Sequence, residues 1–138
     1  MPRPGAVDVV RVDEGHFLVV GGYDGVMTSR HVFAFREALN DWIELPSLCT
    51  ERSATAGVLA GKYLCLFGDY ENPDEILVYD MVTKSSETFR LGYVKSRHAA
   101  ALTVGGRIFV VGGKAEKADE PHALIQEFAL RPPASGSK

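Results

Sequence analysis

Short apolar runs closed by glycine recur along this chain at a nearly constant interval. Residues 97–113, RHAAALTVGGRIFVVGG, read as an arginine, a small-residue strand, a glycine-basic turn, an apolar strand and a closing glycine pair. Residues 52–69, RSATAGVLAGKYLCLFGD, keep that order, and residues 5–22, GAVDVVRVDEGHFLVVGG, form a third copy with a degraded front. The closing residues Gly22, Asp69 and Gly113 stand 47 and 44 positions apart. A period of ~40–50 residues marks an array of like units, each too small to bury its own apolar face.

Within a unit the pattern predicts four strands. In the first, residues 6–12 and 17–20 form a hairpin around Asp13, Glu14 and Gly15. Residues 31–35 are the third strand, residues 37–41 a polar turn and residues 42–45 the outer strand, ended by Pro46. The run 17–20 is apolar without alternation, which demands apolar neighbours on both faces of its sheet. In the second unit the strands are predicted over 54–60, 63–67, 76–79 and 88–91, with Gly61-Lys62 as a tight hairpin and Tyr79 aligned with Phe35. The third runs through 99–104, 108–111 and 123–130 and stops at Arg131-Pro132-Pro133 before any fourth strand. Gly21 and Gly22 are expected to end their strand, and Asp69 to take the left-handed backbone of the glycine it replaces. Trp42 is expected to anchor the packing between units, with Phe89 replacing it in the second. The prolines in residues 1–5 predict a lead-in or edge segment.

The combination LVVGGYDG, VFAF, DWIELP and ERSATAG resembles the kelch repeat, and the resemblance covers about residues 6–130. It implies an all-β chain of kelch-type propeller blades, each a four-stranded antiparallel sheet with the small-residue strand innermost. Ala54, Ala56, Gly57, Ala99, Ala100 and Ala101 suit that crowded axis. One domain over residues 1–138 is expected, with blade 1 at about 3–50, blade 2 at 51–96, blade 3 at 97–131 without its outer strand, and a flexible tail at 132–138.

Closed propellers use about four to eight blades, so a chain of about three leaves two end faces bare. At ~25 cal/mol/Å², on the order of 500 Å² of apolar area per face is roughly 10 kcal/mol of unrealised burial. Two copies are therefore expected to close a six-blade ring as a homodimer. The competing expectation is a segment of a longer propeller.

Composition narrows the function classes. The 138 residues are 46% apolar and carry 15 basic and 18 acidic side chains in a mixed order, for a net charge of −3. No basic face is evident, which argues against nucleic acid. No run of about 18 apolar residues argues for a membrane span, and no signal-peptide pattern opens the chain, so a cytoplasmic location is expected. Cys49 and Cys65 have neither disulfide-framework nor metal-ligand spacing, and His16, His31, His98 and His122 are scattered singly. Carboxylate pairs such as Asp74-Glu75 read as solvated loop charge. No catalytic group, metal site or cofactor is expected.

The resemblance points to the mouth of the ring. There, the arginine before an inner strand and the residue after the glycine pair line the channel in kelch domains that bind peptides. It implies Arg52, Arg97, Tyr23 and Tyr70 as partner-binding residues, with Ser53, His98 and Lys114 beside them. An arginine fork grips a carboxylate through two hydrogen bonds, and tyrosine offers rigid area with a polar tip. The implied function is a non-catalytic protein-interaction module for a polar or acidic peptide. The alternatives are a carbohydrate-acting or carbohydrate-binding propeller and an assembly subunit. The bland reading of the arginines is that they brace neighbouring blades.

Overall fold

The computed structural model describes residues 5–114 and 121–130. They form three antiparallel sheets in chain order. The first is β1 (Ala6–Asp13), β2 (His16–Tyr23), β3 (Val32–Arg36) and β4 (Asp41–Leu45). The second is β5 (Ala56–Ala60), β6 (Tyr63–Phe67), β7 (Ile76–Asp80) and β8 (Ser86–Phe89). The third, among the described residues, has three strands: β9 (Ala100–Val104), β10 (Arg107–Val111) and β11 (Ile125–Ala129). Every strand pairs with its sequence neighbour, as an all-β array of propeller blades requires, and β5 lies between β1 and β9. The proposed tail at 132–138 and most of the lead-in lie outside the described residues.

Two apolar layers join the blades. Val10, Leu18, Val20 and Val32 of blade 1 pack with Leu64, Leu66, Leu77 and Tyr79 of blade 2. On the opposite face of blade 2, Val58, Cys65, Phe67 and Ile76 pack with Ile108 and Val110 of blade 3. Alternate residues of β6 therefore serve opposite cores, because successive side chains of a strand point to opposite faces. This double burial is the physical reason for the uninterrupted YLCLF run. Burial of the Cys65 thiol in the second layer pushes its pKa up to about 11, so it remains an inert apolar filler.

The structure changes four local expectations. β2 does not stop at its glycine pair but continues to Tyr23, which pairs with Ala6. Gly21 and Gly22 have φ of 57° and 108°, and a Cβ on Gly22 would meet the Ala6 carbonyl oxygen at 2.5 Å. Asp69 takes no left-handed backbone; Gly68, one residue earlier, carries the positive φ of 76°. Trp42 packs on Phe35, ring centroids 4.9 Å apart, on the face of blade 1 turned away from blade 2. Finally β8 lies two residues before the predicted strand. Ser86 sits opposite Tyr79 as Trp42 sits opposite Phe35, whereas Phe89 lies opposite Ile76 on the other face. Phe89 therefore does not stand in for Trp42.

Candidate functional site

Each inner strand is preceded by a connection from the outer edge of the previous blade. Leu48 and Tyr93, four residues before Arg52 and Arg97, anchor these connections by inserting into the first and second apolar layers. The first connection lies between the loops of two successive blades: Arg52 O accepts from Gly22 N at 2.8 Å, and Ser53 O from Tyr70 N at 2.9 Å. In the second, Ser96 N donates to Pro73 O at 3.1 Å, and Arg97 and Lys114 exchange two backbone bonds of 2.9 Å. Ala54 and His98, just before the inner strands, both have left-handed backbone, with φ of 56° and 55°. His98 N donates to Ala54 O at 3.1 Å and ties the two connections together.

Equivalent backbone positions hold the two arginines, yet their side chains part. Arg52 is 1% exposed and its Nη2 bonds the Glu75 carboxylate, which is 13% exposed and also lies 3.3 Å from Arg90 Nη2. Glu75, expected as solvated charge, is instead the counterion of a buried arginine. The residue before β11, where blade 3 would supply its own Glu75, is Leu124. Arg97, half-buried, stacks on the Tyr70 ring, its Cζ 4.0 Å from the centroid. Its Nε is buried and makes no hydrogen bond. The Tyr70 ring is half exposed, so one edge of the stack is open to solvent.

The other predicted residues divide between rim and interior. Ser53 is buried, and its N–H donates to Asp69 Oδ1 at 2.9 Å. Asp69 thus serves as an acceptor inside the loop, where a second glycine could offer no side chain. Tyr23 is half exposed and donates its hydroxyl to Gly25 O at 2.9 Å, while Asp24 Oδ1 receives the Val26 and Met27 amides. His98 and Lys114 are exposed beside the Arg97 connection. The structure thus brings Arg97, Tyr70 and the Lys114 backbone together and encloses Arg52 and Ser53.

One carboxylate near the axis has no counterpart in the sequence reading. Asp8 of β1 accepts from the Thr55 hydroxyl and, at 3.3 Å, from the Thr55 amide, linking the inner edges of blades 1 and 2. Burial raises its pKa, partly offset by the Thr55 bonds and by the nearby His98. Asp8 and Thr55 lie 47 positions apart, so only folding reveals the pair. Among the described residues, no group of three His, Cys, Asp or Glu could hold a metal ion. No described helix is long and apolar enough to cross a membrane.

No family model matches this chain. Over 111 residues it is 30% identical to the Kelch repeat and BTB domain-containing protein 1 of Ectromelia virus (strain Moscow). That match covers 75% of this chain and 20% of the viral protein, so the chain spans about a fifth of that relative's length.

Proposed function

We propose that this chain is a non-catalytic protein-interaction module that takes a polar or acidic peptide segment at the mouth of its ring, centred on Arg97 and Tyr70. The observation that carries the reading is the open stack of the two residues, with Arg97 Nε unbonded and Leu124 where a carboxylate neutralises Arg52. A half-buried guanidinium stacked on a half-exposed ring suits an incoming carboxylate, which would gain a charge-assisted bond while its neighbours lie on the tyrosine. The likeness to a protein named for kelch repeats supports an interaction module over an enzyme. Tyr23, His98 and Lys114 extend the rim in this reading, and Arg52 with Ser53 braces it from inside.

The test uses a panel of fluorescein-labelled octapeptides containing Glu or Asp pairs, each matched by its Gln or Asn version, read by polarisation. The wild-type chain is expected to prefer acidic members. Arg97→Ala is expected to weaken them roughly 10-fold or more, the scale of one charge-assisted bond, while circular dichroism is unchanged. Binding indifferent to the acid-to-amide exchange, or unaffected by Arg97→Ala, refutes the proposal.

A further inference from the structure

The two end faces of the array repeat, position by position, the faces that its interior blades bury. Blade 1 turns Val9, Phe17, Phe33, Phe35 and Trp42 away from blade 2. In blade 2 the counterparts of Phe17, Phe33 and Phe35 are Leu64, Leu77 and Tyr79, all buried against blade 1. Blade 3 turns Leu102, Phe109, Val111 and Ile125 away from blade 2. Among their counterparts in blade 2, Cys65, Phe67 and Ile76 are buried in the second layer. Val9 and Ile125 are 60% and 67% exposed, more than residues of their kind keep in a finished sheet stack.

We propose that two copies of this chain close a six-blade ring, the outer face of blade 3 in each seating on the outer face of blade 1 in the other. The faces are of opposite kinds, one a leading and one a trailing face, so contact between copies is head-to-tail and must close or polymerise. Closed propellers hold about four to eight blades. Two chains of three blades fall within that range and three chains exceed it.

The interior layers also specify which residues meet. Phe67, ending β6, lies 4.9 Å from Phe128 of the next blade. Their counterparts on the bare faces are Val111, ending β10, and Phe35, fourth in β3. A cavity of about 610 Å³ also opens on blade 1 between Val7, Val19, Tyr23, His31, Phe33 and Glu44, leaving room at this edge for an incoming chain. Closure would give one mouth with Tyr23, Tyr70 and Arg97 contributed twice. This assembly is independent of the peptide reading and stands or falls without it.

Native mass measurement of the whole chain at micromolar concentration is the first test: a particle of twice the 15.0 kDa chain mass is expected, and a monomer or an open polymer overturns the proposal. The second uses Val111→Asp and Phe35→Arg. Each alone is expected to give folded monomer, and their equimolar mixture to regain the dimer, because one interface is then wild-type and the other an Asp–Arg pair. Failure to recombine, or dissociation by Phe35→Arg with the dimer left intact by Val111→Asp, as a blade 1 to blade 1 contact would give, overturns it. Should either variant lose its circular dichroism, the exposed sites Val9→Lys and Ile125→Asp replace them, each expected to yield monomer; a persistent dimer overturns the arrangement.

Discussion

Arg52 offers the sharpest check on the physical account, because its charge is almost wholly enclosed and rests on one carboxylate. It is 1% exposed, and only Nη2 of its guanidinium is bonded; Nε and Nη1 are buried without partners. Glu75→Gln removes the counterion and strands that charge. Breaking a buried pair in this way costs ~3–5 kcal/mol, a large part of the ~5–15 kcal/mol that holds a domain folded. Arg52→Met is expected to cost less, about 1–2 kcal/mol, because Glu75 keeps Arg90 at 3.3 Å and a margin of solvent. The pair Arg52→Met with Glu75→Leu is expected to return to within about 1 kcal/mol of wild type, since neither charge is left buried alone. Urea unfolding at fixed protein concentration reads the series, followed by circular dichroism and by Trp42, the sole tryptophan. With a slope of ~1–3 kcal/mol/M, Glu75→Gln should move the midpoint down by about 1–5 M. A Glu75→Gln midpoint no lower than that of Arg52→Met would refute the reasoning, and with it the assignment of Arg52 to bracing rather than to the rim.

Two further outcomes follow from the same geometry. Gly61→Ala and Gly68→Ala both force a side chain onto positive φ, 59° and 76°, but the first meets open space and the second the Ser96 carbonyl oxygen. The first should cost about 1–2 kcal/mol and the second at least twice that by urea unfolding; equal costs would deny the close approach of blades at Gly68. For Asp8, whose pKa is raised chiefly by burial, the folded state holds the proton more tightly than the unfolded. Its contribution is therefore most favourable below the ordinary value of about 4 and declines as pH rises through the raised one. Asp8→Asn cannot titrate, so its stability relative to wild type should be higher at pH 7 than at pH 3.5, and a difference independent of pH would contradict the assignment.

Much of the site was expected by residue type and not by arrangement. Arg52 and Arg97 are indistinguishable in the repeat, each preceding a small-residue strand. What separates them is Glu75, which reaches Arg52 only when β7 folds back across its sheet, against Leu124 at the matching position before β11. The regular spacing of Leu48 and Tyr93, each four positions before its arginine, was a signal in the chain itself and marks the connections as packed rather than loose.

By itself the sequence determined the all-β architecture, the repetition of hairpin units and the strands that must be covered on both sides. Those properties follow from local periodicity, which the extended backbone converts directly into two faces. Tertiary structure alone decided the direction of Trp42, the two-residue offset of β8, the burial of one arginine and the stacking of the other. The two arginines depend on Glu75 and Tyr70, more than 20 positions distant, and Trp42 and β8 on strand register, where a change of one residue reverses every face.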